Sequence, residues 1–356
     1  MKKKRVYICH TFYHAYIAAV KELNFKARGE ATLVLSTMSN DFAGLKERAE
    51  ATGLFRDVYD FDEQKETASK EVMAQHVNRG NRVANFFQRV RYTKLLGALQ
   101  EEFLPVDLSE YEDIYVFCDS DPIGYYLNYK KLPYHAIEDG LNSGRLDDMA
   151  RNSNRGAFPV KRLMAKTGLI FMPNGYSRYC IDYEVNDISA NIAPPANIVE
   201  RPRKEMYERL TKEDHALLVK MFLEDPEGLR KELQEKTGGR PVAMILTEPL
   251  CAPDVRERMF QDIIAIYEND YAILIKPHPR DVLDYAALFP EVVVMKGRFP
   301  MEVMNDIEDL QVDKLVSVIT QVENVGFAKE IVYLGLDFMD KYEAPEVHRK
   351  TELLWK

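Results

Sequence analysis

Ala272-Ile273-Leu274-Ile275-Lys276-Pro277-His278-Pro279-Arg280-Asp281 shows the architectural unit of the chain most plainly. Ala272–Lys276 is a short apolar, β-rich run, the pattern of a strand. Two prolines then stiffen the turn and restrict the residues before them, so His278 is given a fixed direction just past the strand end. Outward from this stretch the same rhythm repeats. Strands are predicted at Val242–Thr247, Val292–Met295, Lys314–Val318 and Ile331–Leu334, with helical-period segments between them. Upstream, Val6–Cys9, Thr32–Ser36, Asp57–Phe61, Ile114–Cys118 and Tyr134–Ile137 read as strands. Phe12–Leu23, Phe42–Thr52 and Lys70–Glu102 read as helices, the last long, amphipathic and rich in Arg and Lys.

Such alternation is the signature of parallel sheets flanked by helices. A chain of 356 residues exceeds one ordinary core, so two Rossmann-like α/β domains are expected, facing a cleft. Residues 1–185 form the first, and 186–204, with Pro194-Pro195 and Pro202, a linker. Residues 205–335 form the second domain, and 336–356 a helical tail. Open parallel sheets bind ligands beyond their strands' C-terminal ends, which is where the informative residues stand.

Composition narrows the function. A net charge of −9 argues against a nucleic-acid binder, while one basic pocket can still hold a phosphate inside an acidic protein. The four cysteines are scattered with no CxxC pair, which suits a reducing cytosol and gives neither a disulfide framework nor a zinc site. No run reaches the ~18 apolar residues of a membrane span. The expectation is a cytoplasmic protein, at most resting on the inner face of the membrane through a surface patch.

Four constellations carry chemistry. Lys276, His278, Pro279 and Arg280 can neutralise a phosphate and give a proton to a departing one, and Asp281 is placed to cap a following helix. Pro300-Met301-Glu302 enters a helix, and its carboxylate could hold a ribose diol or simply favour the macrodipole. Ser317-Val318-Ile319-Thr320 passes from a strand into a predicted helix, Gln321–Lys329, offering a phosphate cradle or an N-cap. Glu138-Asp139-Gly140, with Asn142 behind it, puts carboxylates on a tight turn after a strand, suited to deprotonating an acceptor hydroxyl. Asp119-Ser120-Asp121 matches the DxD of metal–nucleotide sites, but Asp121-Pro122 reads equally as a helix start. His10 and Thr11 join the first strand to its helix and are acceptor-side candidates. His10 and His14 lack a third ligand nearby, so no metal is expected.

In this order, Glu138-Asp139-Gly140, His278-Pro279, Pro300-Met301-Glu302 and Ser317 with Thr320 resemble the motifs of bacterial sialyltransferases. The opening Ile8-Cys9-His10-Thr11-Phe12 and the length are most similar to glycosyltransferase family 52. The resemblance implies a GT-B-like fold, a CMP-sugar co-substrate, no metal or other cofactor, and inversion at the anomeric carbon. It further implies that Glu138 or Asp139 is the base, with Glu248 and Asp254 open alternatives. His278 would assist departure of CMP. Glu302 would hold the ribose, and Ser317 and Thr320 the phosphate, with Thr247 and Glu248 lining the donor side. The expected reaction moves sialic acid from CMP-sialic acid to a terminal galactoside of lipooligosaccharide or capsule. The alternatives are another CMP-, CDP- or UDP-activated donor (Kdo, hexose or glycerol phosphate) or a non-catalytic nucleotide-binding protein of polysaccharide assembly. A homodimer is also an expectation of the resemblance.

Overall fold

The computed structural model describes residues 2–38, 41–42, 44–145, 149–154, 156–191, 194–278, 281–295, 297–307, 310–320, 322 and 325–348. It divides into two units, Met1–Asp214 and His215–Lys356.

The first unit carries β1 (Lys3–Cys9), β2 (Ala31–Ser36), β3 (Asp57–Phe61), β4 (Tyr111–Phe117), β5 (Tyr134–Ile137), β6 (Cys180–Val185) and β7 (Ile198–Glu200). Its helices are α1 (Phe12–Leu23), α2 (Leu45–Thr52), α3 (Lys70–Ala74), α4 (Arg82–Leu99), α5 (Pro122–Lys130), α6 (Met149–Asn152), α7 (Phe158–Lys166) and α8 (Arg203–Glu208). The strands lie in the order β3-β2-β1-β4-β5-β6-β7 and every pairing is parallel. Strand order therefore reverses between β1 and β4, and the crevice beyond those two C-terminal ends is the place for a ligand.

Helix α9 (Lys212–Phe222) runs across the boundary in sequence. The second unit continues with α10 (Pro226–Thr237), β8 (Val242–Leu246), α11 (Pro253–Tyr267), β9 (Ala272–Lys276), α12 (Tyr285–Leu288), β10 (Val293–Val294), β11 (Val312–Ser317), β12 (Ala328–Tyr333), α13 (Leu336–Met339) and α14 (Pro345–His348). This sheet is also parallel, in the order β10-β9-β8-β11-β12, so its reversal lies between β8 and β11. Both units are thus parallel-sheet α/β, as the alternation predicts. Ala243, Ile245, Ile273, Ile275 and Val316 of the second sheet pack on Met259, Phe260 and Ile263 of α11. Each such Ile contributes roughly 1.5–3 kcal/mol on burial, and together they fix where the strand ends point.

The structure departs from the sequence reading in identifiable places. The helix expected over Lys70–Glu102 is two, α3 and α4, parted by residues 75–81, in which Gly80 takes a φ of +71°. Asn81 then restarts the helix by accepting from the Val83 and Ala84 N–H groups. Residues 186–204, expected as a linker, hold β7, and β6 precedes them. The helix expected over Gln321–Lys329 is not formed among its described residues; 325–327 are irregular and β12 begins at Ala328. Asp281 caps no helix. Asp284 does so for the short α12, accepting from the Ala287 N–H. Residues 349–356 of the expected tail lie outside the described ones. Among the described residues no helix is long and apolar enough to cross a membrane.

Candidate active site

In the first unit the chemistry gathers where β1 and β4 reverse the strand order. Thr11 accepts from the His14 N–H at 3.1 Å and so starts α1. The His10 N–H donates to Nδ1 of His14 at 3.1 Å. Nδ1 is therefore the acceptor nitrogen, and the proton sits on Nε2. Nε2 in turn meets the Asp139 carbonyl oxygen at 2.7 Å and its carboxylate at 3.0 Å. The His14 ring is fully buried and stacks on Phe117, whereas the Asp139 side chain is 59% exposed.

Beneath this pair lies an ion pair that no local pattern of residues signals. His10 Nε2 is 2.7 Å from Glu63 Oε2 and 3.5 Å from Asp121 Oδ2. Glu63 also accepts from Ser36 Oγ at 2.7 Å and from the Ile123 N–H at 2.6 Å, at the start of α5. Burial alone lowers the imidazole's pKa, but Glu63, then Asp121 and Asp139, reverse this and raise it to about 9. Burial likewise works to raise Glu63, and His10 with the Ser36 and Ile123 hydrogen bonds brings it below the usual carboxylate value. Asp121 is pushed up by burial and by Glu63 and Asp139, against the pull of His10.

The Glu138-Asp139-Gly140 triplet splits into two roles. Glu138 is buried; it accepts from the Asn186 N–H at 2.7 Å and lies 3.5 Å from the Arg203 guanidinium. Asn142 is buried too and accepts from Asn186 Nδ2 at 3.0 Å. Both tie the β5 turn to the segment after β6. Asp139 alone of the pair faces outward. His10 and Asn142 are only 2% and 1% exposed, so these two acceptor-side candidates, like Thr11 through its cap, shape the turn from within.

The DxD stretch does not present two carboxylates to one ion. Asp119 faces inward, accepting from Tyr134 OH at 2.8 Å and the Asn174 N–H at 2.7 Å, while Asp121 belongs to His10. Burial raises Asp119 to about 6 in spite of those hydrogen bonds. Among the described residues, His135, Asp182 and Glu184 could together reach one ion, but Lys21 already lies 2.7 Å from Glu184.

In the second unit two adjacent residues after β8 organise the rest. The Thr247 hydroxyl accepts from the His278 N–H at 2.8 Å and donates to Asp281 at 2.9 Å. Asp281 further accepts from Tyr285 OH and pairs with the buried Arg256. Burial would raise the Asp281 pKa, but Tyr285, the Leu283 N–H, Thr247 and Arg256 together lower it. The turn holding His278 is thereby fixed at its backbone. Pro279 and Arg280 lie outside the described residues.

Glu248 is buried, and it accepts from Ser317 Oγ at 3.0 Å, the Ile319 N–H at 3.1 Å and the Thr320 N–H at 2.8 Å. Those are the groups expected to cradle a phosphate. In place of a helix N-terminus the 317–320 turn forms a nest of N–H groups, and a carboxylate of the same chain fills it. Lys276 is buried; its Nζ donates to the Phe299 carbonyl at 2.8 Å and lies over the Phe299 ring. Burial lowers Lys276 to about 8 against the pull of Glu302. Glu302, in the 3-10 turn Met301–Asp306, is raised by burial against its own N–H and Lys276. Lys276 thus joins the His278 turn to the Pro300–Glu302 turn from below.

A sequence model of glycosyltransferase family 52 matches residues 60–320. Among solved structures, an α/β-galactoside α-2,3-sialyltransferase from the luminous marine bacterium Photobacterium phosphoreum superposes with a TM-score of 0.52 at 12% identity, covering 93% of this chain and 91% of that one. An S. aureus MnaA–UDP structure (TM-score 0.49, 11% identity, 89% and 74% covered) superposes more loosely. So does a Neisseria meningitidis UDP-GlcNAc 2-epimerase bound to UDP-GlcNAc (0.42, 11%, 88% and 77%). These two are too remote to be argued from. At such identities the first likeness speaks for the fold, two parallel-sheet α/β units of GT-B type. No curated protein matches the chain in sequence.

Proposed function

The chain belongs to glycosyltransferase family 52, and on that premise we propose that it moves sialic acid from CMP-sialic acid to a terminal galactoside of a surface glycan, with inversion and without a metal. The observation that carries the reading is the His278 turn, held at its backbone by Thr247 and Asp281 beside the reversal point of the second sheet. In sialyl transfer the anomeric carbon gains oxocarbenium character while charge builds on the departing phosphate. A preorganised imidazole can meet that charge and protonate it.

The remaining roles follow from which groups are already engaged. Asp139 is the base that takes the acceptor's hydroxyl proton, since Glu138 is locked to Asn186 and Arg203. Glu248 is set aside as a base because its carboxylate is taken by the 317–320 turn. Asp254, in the first turn of α11, is the remaining alternative. Glu302 takes the ribose, and the phosphate falls to His278 and the Thr320 hydroxyl, with Ser317 holding Glu248 in place. The inward-facing Asp119 supports a reaction without a DxD-bound metal.

Thermal shift with CMP, CDP and UDP tests the donor. CMP is expected to stabilise the protein; stabilisation by UDP alone would sink the CMP assignment. Asp139→Asn and His278→Ala are each expected to cut transfer by roughly 10²–10⁴-fold while the CMP shift of Asp139→Asn stays as in the wild type. Full activity in either variant removes that residue's role.

A further inference from the structure

The first unit has a surface its proposed chemistry does not use. Residues 72–100 and 149–181 together hold eleven Lys and Arg and no Asp or Glu, in a chain with 57 acids and a net charge of −9. The two stretches meet in the fold. Val90 of α4 packs with Ala165 and Met164 of α7, and Arg89 donates to Asn154. Lys161 is lowered first by burial and then by the Arg89 charge beside it. Cations are crowded here with few acids to offset them; Glu71, at the edge, lies 3.7 Å from Arg91.

The same two stretches hold eight of the thirteen large hydrophobic side chains that stand exposed among the described residues. Phe87 and Val83 on α4 are 65% and 64% exposed, and Leu163 and Val160 on α7 are 63% and 57%. Scattered exposed apolar residues are ordinary, but a majority gathered on two stretches that pack together, four of them on α4 and α7, marks a surface meant to be covered.

We propose that α4 and α7 form a docking face for an anionic lipid bilayer, with Phe87, Val83, Leu163 and Val160 entering the headgroup region and Arg162, Lys166, Arg82 and Lys94 meeting lipid phosphates. Charge complementarity selects this occupant. A two-fold contact with a second copy would set cations against cations, and a purely polyanionic ligand would leave the apolar side chains without a use. Apolar insertion with flanking Lys and Arg is the pattern of interfacial helices. An acidic protein would otherwise be repelled by an anionic surface, so this face also sets its orientation. The proposal stands apart from the donor assignment, because binding is read without turnover.

The test is co-sedimentation of the full chain with phosphatidylcholine vesicles, with and without phosphatidylglycerol, at low and high salt. Binding is expected only with phosphatidylglycerol and is weakened by salt. The pairs Arg162→Glu with Lys166→Glu, and Phe87→Asp with Leu163→Asp, are each expected to weaken it by about tenfold or more, with unchanged thermal unfolding. Absence of binding to the anionic vesicles, equal binding to neutral vesicles, or wild-type binding by both double variants overturns the proposal. So does a dimer in sedimentation velocity that the Phe87/Leu163 pair converts to monomer, which would make the face a subunit interface.

Discussion

Glu63→Gln isolates the buried pair on which the first unit's strand-end turn is built. His10 and Glu63 are 3% and 0% exposed at their side chains, so solvent screens them little. The imidazole's pKa rises from 6.5 to about 9 on folding. At 1.36 kcal/mol per unit, that is about 3 kcal/mol of linked stability, counted once for the pair. A raised pKa stabilises the protonated form, so this contribution is complete below pH 6.5 and lost as pH climbs through 9. The lowered pKa of Glu63 gives the opposite limb, lost as pH falls through the carboxylate range. Gln can keep its oxygen for the Ile123 N–H and turn its amide N–H toward Ser36, whose hydroxyl can accept, but it removes the charge that holds the proton on His10. Urea unfolding of wild type and variant, followed by circular dichroism from pH 5.5 to 9.5, reads the difference directly. The gap is expected to be widest near pH 6 and to close by about 3 kcal/mol toward pH 9. A gap independent of pH would show that His10 is not held protonated, and the reasoning would be wrong.

Two further perturbations address positioning in the second unit and packing in the first. Thr247→Val removes the acceptor of the His278 N–H and one of the two donors to Asp281 Oδ2, which Tyr285 still serves, so a loss of about 1–3 kcal/mol is expected. A lower kcat with little change in KM for the donor should accompany it. Asp281→Asn strands Arg256 in a buried site at roughly 3–5 kcal/mol. The lowered pKa of Asp281 means its contribution is present above the ordinary carboxylate range and lost as pH falls through it. A Thr247→Val enzyme with wild-type kcat would separate the turn from catalysis. Gly124→Ala puts a Cβ 1.9 Å from the Asp119 carbonyl oxygen, a backbone atom that cannot swing aside. A loss of about 2–3 kcal/mol or more is expected, and a wild-type melting temperature would contradict the close approach of α5 to the β4 turn.

Much of the fold was legible because buried strands announce themselves: β9 is Ala-Ile-Leu-Ile-Lys followed at once by proline, and the structure ends it there. Strands β6 and β7 were not legible, for a physical reason. β6 carries Asp182 and Glu184, whose charges are met by His135 and Lys21, so its apolar alternation is hidden by a buried polar layer. β7 is three residues long and follows a proline pair. Placement after strands is what singled out the Glu138–Gly140 turn and His278 as candidates. Glu138 and Asp139 could not be told apart, because consecutive residues leaving a strand face opposite ways and the sequence does not say which face is covered. Glu63 sits in an ordinary-looking acidic turn and meets His10 across 53 residues of chain. No local pattern separates it from its neighbours.

The roles of Thr247 and Glu248 belong to neither motif reading nor periodicity; they follow from topology. At the reversal point between β8 and β11 the chain ends converge, and backbone N–H groups there call for an anion. In this protein the Glu248 carboxylate answers that call from within, which leaves the Ile319 and Thr320 N–H groups satisfied. One residue earlier, Thr247 fixes the turn of His278. Two neighbouring side chains therefore weld the His278 turn and the 317–320 turn into one rigid piece, and Lys276 fastens the Phe299–Glu302 turn to it. Charge developing on a leaving phosphate would then meet groups that need not reorganise, the condition under which electrostatic stabilisation is largest. With the nest filled by Glu248, the proposed reaction leaves that task to His278, on the turn whose backbone Thr247 holds.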